Sequence, residues 1–324
     1  MIKLYCACWA LIINHKYQID SIFSLRIDMT DSSTQTQNQT QNQTRSHYRF
    51  FHRLRVRWLE VDMQKIVFNG HYLTYFDVAI ADYWRALALP YEQVVSRFGG
   101  DMFVKKATLE YHASAEYDDM LEVGVRCARI GTSSLSFDMA IFCQNTLLIT
   151  GEIVYVFADP LARKPKPVPA ELRDLFESFE RGEAMSTVRV GTWSELHAEA
   201  TQVREAVFVR EQGFSAEVEL DGRDDGCIHA VVMNRYGLPL ATGRLLPDGH
   251  IGRVAVAKTM RGTGVGVQVM HALEAAARTR GFTATVLSAQ TYAQGFYAKL
   301  GYAAEGEVYS DEGVPHVDMM KQLG

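Results

Sequence analysis

Cysteine is scarce and scattered in this 324-residue chain: Cys6, Cys8, Cys127, Cys143 and Cys227 form an odd set with no paired zinc-type spacing. A disulfide scaffold and a zinc site are not expected, and a reducing, cytoplasmic compartment fits best. Cys6-x-Cys8 has no partner ligands near it, so no metal is expected there either. An excess of charge of one sign is also missing. A formal net charge of -5 gives no reason to expect nucleic acid or an anionic membrane surface as a partner. Met1 to Ile13 is apolar but carries Lys3 and is broken by Asn14-His15-Lys16, far short of the roughly 20 residues that span a bilayer. Without a small-residue cleavage pattern after it, this stretch is expected to be neither a targeting segment nor a membrane anchor. Solenoid-type repeats are absent as well.

What is present is enough apolar material, 48% of residues against 22% charged, for two cores in a chain longer than one core usually spans. Thr34 to Thr44, TQTQNQTQNQT, has nothing to bury, and residues 1–46 are expected to form a disordered extension. Met29, directly ahead of Thr30-Asp31-Ser32-Ser33, offers a second translation start. From His47 a strand-like alternation begins, with Leu54, Val56 and Trp58 on one face and Arg53, Arg55 and Arg57 on the other. Leu73, Phe76, Ile80, Trp84 and Leu87 then recur at three- and four-residue spacing, which predicts an amphipathic helix over Tyr72 to Leu89, ended by Pro90. Four alternating segments follow, near Phe103 to Ala113, Leu121 to Cys127, Leu135 to Ile141 and Thr146 to Phe157. One helix and an antiparallel meander are the implied plan of a first domain over 47–159. The uncovered face of such a sheet favours a homo-oligomer.

Pro160, Pro165, Pro167 and Pro169 are half of all the prolines and interleave with Arg163, Lys164 and Lys166, the composition of a stiff linker. With a short helix from Ala170 to Phe179 it fills 160–185. Residues 186–324 then alternate: helix over Glu195 to Glu211, strands over Ile228 to Asn234, Leu240 to Leu246 and Gly252 to Val256, helix over Gly264 to Arg280, strand over Thr283 to Ser288. This is the pattern of a mixed α/β domain.

Within it, the strand ending Val254-Ala255-Val256-Ala257 runs into Arg261-Gly262-Thr263-Gly264-Val265-Gly266 and then an unbroken helix. Unpaired backbone N–H groups and the dipole at such a helix start bind a pyrophosphate without side-chain charge, glycine allows close approach, and Arg261 can add a charge-assisted contact. A dinucleotide fold would use G-x-G-x-x-G and a P-loop a Lys-Ser/Thr pair; neither is present.

R-x-x-G-x-G after a strand resembles the cofactor motif of the GNAT superfamily of acetyltransferases. The resemblance covers nearly all of 187–324 through Arg204 to Gln212 (REAVFVREQ), Glu219-Leu220-Asp221-Gly222-Arg223-Asp224, His229, Gly243-Arg244-Leu245-Leu246-Pro247, Phe296-Tyr297-Ala298-Lys299-Leu300-Gly301-Tyr302 and Gly313-Val314-Pro315-His316-Val317-Asp318-Met319. It implies acyl-CoA, such as acetyl-CoA, as donor and an amine as acceptor. It also implies pantetheine pairing with the backbone near Val254 and Val256, and Tyr297 as the acid that protonates the leaving thiolate. Glu211, Asp221, His229 and His316 are all candidates for the base. The Glu-x-Asp-x-x-Asp and Arg-Leu-Leu-Pro elements also resemble acyl-homoserine-lactone synthases, which leaves a longer acyl donor open.

In the first half, Asp62 lies in the turn between the first strand and the long helix, within Asp62-Met63-Gln64-Lys65-Ile66-Val67-Phe68-Asn69-Gly70-His71-Tyr72. A carboxylate there can cap a helix, or it can attack a thioester or activate water while helix-start amides polarise the carbonyl. The arrangement resembles the hotdog-fold 4-hydroxybenzoyl-CoA thioesterase family over about Tyr48 to Phe157, including Ala107-Thr108-Leu109-Glu110-Tyr111 and Arg129-Ile130-Gly131-Thr132-Ser133-Ser134. Asp62 then matches the catalytic aspartate, and Asn69 and Gly70 the region whose amides hold the carbonyl oxygen. Lys65 departs from the glycine common in that family. The implied fold class is α+β, a hotdog with a long helix wrapped by antiparallel sheet followed by a GNAT mixed α/β domain. The implied activity is bifunctional on CoA esters; an acyl-CoA-binding or sensing protein with attenuated catalysis, and an acetyltransferase whose first half is a dimerisation scaffold, are the alternatives.

Overall fold

The computed structural model describes residues 44–311 and 313–324. The apolar start, Cys6, Cys8, Met29 and positions 34–43 of the glutamine-rich tract lie outside the described residues. Arg45 pairs with Glu122 and lies 4.8 Å over the Phe51 ring.

The first half runs β1 (Phe50–Arg55), α1 (His71–Ala86), α2 (Glu92–Phe98), β2 (Asp101–Tyr111), β3 (Met120–Ile130), β4 (Ser134–Cys143), β5 (Thr146–Ala158) and α3 (Ala170–Arg181). The sheet is antiparallel in the order β1-β3-β4-β5-β2. Only β3, β4 and β5 form a meander, which corrects the expectation for all four segments: β2 pairs with β5 at the far edge, and residues 112–119 carry the chain back across the sheet to β3. α1 fills the concave face with Tyr72, Tyr75, Phe76, Ala79, Ile80, Tyr83 and Trp84. Leu73, expected on that face, is 40% exposed, because the rows that start at Tyr72 and Tyr75 claim the core side. Trp58 is 72% exposed, since β1 ends at Arg55 and Trp58–Glu60 form a tight 3-10 turn.

The proline-rich stretch and the helix after it belong to this core and are not a free linker. Lys166 N donates to Phe157 O and Val168 N to Thr132 O. Phe176 of α3 packs on Trp84, Phe137 and Tyr83 at ring separations of 5.1, 5.7 and 6.1 Å. Apolar surface at Val168, Leu172, Leu175 and Phe176 holds the segment down more strongly than proline stiffness holds it away.

The second half runs β6 (Ser186–Gly191), α4 (Trp193–Arg204), α5 (Ala216–Glu219), β7 (Ile228–Asn234), β8 (Pro239–Leu245), β9 (Ile251–Val256), α6 (Val265–Thr279), β10 (Ala284–Gln290), α7 (Gln294–Lys299), β11 (Ala303–Asp311) and β12 (Val314–Gln322). The helix expected over 195–211 is α-helical only to Arg204, because a π-wound turn, Glu205–Glu211, re-aims Val207 and Phe208. The strands form two sheets, β6-β7-β8-β9 and β10-β12-β11. They meet at one parallel bridge, His250 to Val286, and beyond it the free edge of β9 faces a cleft. Both halves together make an α+β chain in the expected order.

The turn between β7 and β8 presses on the first half. Asn234, 5% exposed, donates from Nδ2 to Ala88 O at 3.0 Å while its Oδ1 accepts from Tyr236 N and Leu238 N. Tyr236 donates to Glu171 O at 3.1 Å, and the Arg97 guanidinium lies 3.9 Å over its ring.

Candidate functional site

The cleft between β9 and β10 holds a cavity of about 670 Å³. Val254, Val256, Arg261, Gly262, Gly264, Gly266 and Tyr297 all line it, so residues spread over 44 positions of sequence converge on one space. Two expected neighbours face elsewhere. Thr263 donates its hydroxyl to Met260 O at 2.7 Å, and Val265 is buried in the core beneath α6. Their contribution is backbone only.

The loop geometry follows from its glycines. Gly262 and Gly264 have φ of 82° and 92°, which side chains disfavour. A Cβ on Gly266 would stand 3.1 Å from Val256 Cγ2, so glycine sets how closely α6 approaches β9. Among the described residues, the amides of Gly262, Gly264, Val265 and Gly266 find no acceptor, and they open at the start of a 15-residue helix. Arg261 is otherwise engaged. Its two terminal nitrogens bind the Glu211 carboxylate at 2.7 and 2.8 Å.

A β-bulge between Thr242 and Arg244 puts Arg253 at φ 50° and turns the Arg253–Val254 backbone toward the cavity. Opposite, Gly243 lies so close to α6 that a Cβ would come within 2.8 Å of Val269.

Of the four base candidates, only His316 lines the cavity. Glu211 is held by Arg261, whose hydrogen bonds keep its carboxyl below the ordinary range. Asp221, Asp224 and Glu219 belong to a charge network in which Arg244 binds Asp221 and Asp224, Arg204 binds Glu219 and Asp224, and Arg253 reaches Glu219 and Asp221. Hydrogen bonding from Arg244, against the opposing effect of burial, holds Asp221 far below the ordinary carboxylate range. His229 is fully buried 4.9 Å from the Trp193 ring, and burial lowers its basicity. These groups knit the wall together.

Burial pushes the Tyr297 phenol upward, which keeps it protonated; its ring lies 5.0 Å from Phe296. Several lining residues escaped sequence reasoning: Phe214, Ser288, Tyr292 and Asp311. Tyr292 could have been found as an aromatic close to Tyr297 in sequence. Nothing in the sequence marks Arg253 as a left-handed residue, where glycine would be the signal.

In the first half, residues 61–67 form a small loop closed by a Val61–Val67 bridge, with Asp62 N donating to Ile66 O at 2.9 Å. Asp62 is half-buried and accepts from Gln64 N at 2.7 Å. It therefore caps its own turn and not α1. Lys65 has φ 64°, a left-handed backbone carried by a residue other than glycine. Asn69 and Gly70 stand at the start of α1. Among the described residues their amides find no acceptor, and Tyr111 donates to Asn69 O at 3.3 Å. Glu60, buried beside this loop, is bound by Arg57, whose hydrogen bonds outweigh burial and keep it ionised. About 10 to 20 Å along α1 from Gly70, a second cavity of about 330 Å³ is lined by Asp77, Trp84, Tyr91, Met102, Val104 and Tyr155.

Residues 56–176 match the Thioesterase-like superfamily and residues 197–323 the Acetyltransferase (GNAT) domain. The second half is 42% identical over 127 residues to the uncharacterized N-acetyltransferase YjcF of Bacillus subtilis, covering 38% of this chain and 90% of that protein. It is 35% identical over 145 residues to the uncharacterized protein YyaT of the same organism, covering 43% and 97%. The first half is 31% identical over 125 residues to the acyl-CoA thioester hydrolase YbgC of Escherichia coli O157:H7, covering 37% of this chain and 89% of that protein. Among the described residues no helix is long and apolar enough to cross a membrane.

Proposed function

Because the chain belongs to the Thioesterase-like superfamily in its first half and to the acetyltransferase (GNAT) family in its second, we propose that it is one enzyme with two CoA-ester reactions. The first half hydrolyses an acyl-CoA, and the second transfers an acyl group, acetyl in the first instance, to an amine.

The observation that carries the transferase reading is the convergence of the free loop amides, the unpaired edge of β9 and Tyr297 on one cavity. In this reading the amides of Gly262 to Gly266 hold the pyrophosphate, β9 pairs with pantetheine at Val254 and Val256, and the thioester stops beside Tyr297. Attack by the amine nitrogen forms the C–N bond, the C–S bond breaks, and the Tyr297 hydroxyl gives its proton to sulfur.

For hydrolysis, the Asn69 and Gly70 amides polarise the thioester carbonyl and Asp62 attacks it or activates water. Support comes from those free amides at the start of a 16-residue helix and from the half-buried Asp62 in the preceding loop. Trp58, Leu59, Met63 and Phe68 around that loop, and Phe103, Val104 and Tyr111 along edge strand β2, are exposed. An apolar edge of this size favours a homo-oligomer built on the first half.

The test is a panel of CoA thioesters from acetyl to long-chain and aromatic, with free thiol and acylated amine measured together. Thiol release without amine supports hydrolysis, and acylated amine supports transfer. A protein that binds the panel and converts none of it refutes both.

A further inference from the structure

We propose that His316 is the base that takes the proton from the acceptor ammonium, and that Tyr309 is the residue that positions it; this rests on the transferase reading above. Three observations carry it. First, His316 lines the same cavity as Tyr297, while Glu211, Asp221 and His229 do not. Second, it is 8% exposed and its Nδ1 lies 2.8 Å from Val314 O. A carbonyl accepts only, so Nδ1 carries the hydrogen and Nε2 is left as the acceptor, the tautomer a base needs. Third, the imidazole lies on the Tyr309 ring, centroids 6.2 Å apart and planes 25° from parallel. That ring is itself pinned, because the Tyr309 hydroxyl bonds Ser288 Oγ at 2.5 Å and Asp318 Oδ1 at 2.7 Å, joining β10, β11 and β12.

The proton balance closes. The ammonium gives one proton to Nε2, the neutral amine attacks the thioester carbonyl, and collapse expels the thiolate, which takes the Tyr297 proton. The phenolate recovers a proton from the new amide nitrogen, and His316 returns its own to solvent, so each turnover releases one proton. The titratable groups around His316 are Tyr309 and Asp311 of β11, Asp318 of β12 and Tyr292 of the preceding turn. Arg253, which also lines the cavity, is paired with Glu219.

The test uses the full chain, acetyl-CoA and a panel of polyamines, amino acids, aminoglycosides and lysyl peptides. His316→Gln should leave acetyl-CoA binding, measured by calorimetry, within about twofold, lower kcat by about 100-fold or more, and remove the acid limb of the kcat/KM profile. Tyr309→Phe keeps the ring and loses the two hydroxyl bonds that pin it, and should lower kcat by less than Tyr309→Leu does. Tyr309→Leu should lower kcat about tenfold and displace that limb. Full activity with the limb intact in His316→Gln overturns the assignment. If the unmodified protein acetylates no member of the panel, the transferase reading fails first and takes this inference with it.

Discussion

Arg261 and Glu211 form a two-point ion pair, Nη1 to Oε1 at 2.7 Å and Nη2 to Oε2 at 2.8 Å, so the guanidinium at the head of the glycine loop is already neutralised. Backbone amides then supply most of the anion binding. Arg261→Gln should weaken acetyl-CoA binding by less than about tenfold, whereas Gly264→Val, at φ 92°, should remove it. Glu211→Gln should tighten binding a few-fold by freeing Arg261. Calorimetric titration of the three variants checks the order, and a large loss in Glu211→Gln contradicts it.

Asp62 lies in a loop whose strain is at Lys65. Asp62→Asn should cut hydrolytic thiol release by about 100-fold or more without altering the stability of the protein to denaturant. Lys65→Gly should relieve the left-handed backbone and stabilise that half by up to about 1 kcal/mol, with hydrolysis retained. Denaturant unfolding followed through the first-half tryptophans reports both.

The network of the second half makes its stability depend on pH in two stages. Burial holds the His229 imidazole below its ordinary value, so the unfolded chain takes up that proton first. Its contribution is complete above about pH 6.5 and is lost as pH falls through the lower folded value. Asp221 and Asp224 are held below the ordinary carboxylate range. Arg244 is the main cause at Asp221, and at Asp224 Arg204 and Arg244 prevail over burial. Their contribution is complete above about pH 3.9 and is lost below it. His229→Gln should abolish the first stage only. Asp224→Ala, which leaves Arg204 with Glu219 alone and Arg244 with Asp221 alone, should cost about 1–3 kcal/mol at neutral pH. Thermal melts between pH 8 and pH 3 test both stages.

Asn234 joins the halves through the carbonyl of Ala88. Asn234→Ala should cost about 1–3 kcal/mol and split a single unfolding transition into two, visible by calorimetry. A single unchanged transition means the two halves do not depend on this contact.

The glycine loop and the start of α1 were legible because each rests on local chemistry, φ above zero at Gly262 and Gly264 and free amides at helix starts, whereas Tyr297 and Asp62 stood out through the resemblance to the two families. The sequence did not reveal what depends on three-dimensional pairing. β2 lies beside β5 instead of β3 because strand order is set by packing on α1, which alternation along one strand does not encode. The proline-rich stretch read as a linker because its composition hides the apolar contacts of Val168 and Phe176. The π-wound turn at Glu205–Glu211 and the bulge at Arg253 leave no mark in residue type. The four base candidates were equivalent on paper, and only their placement around the cavity separates His316 from the rest.

The most direct test of two independent CoA-ester sites is thiol release from acyl-CoA, measured with and without an amine acceptor, in Asp62→Asn, in Tyr297→Phe and in the double variant. Asp62→Asn should lose the amine-independent release and keep the amine-dependent part. Tyr297→Phe should show the reverse, and the double variant neither. A single substitution that abolishes both activities while the protein stays folded would contradict the account.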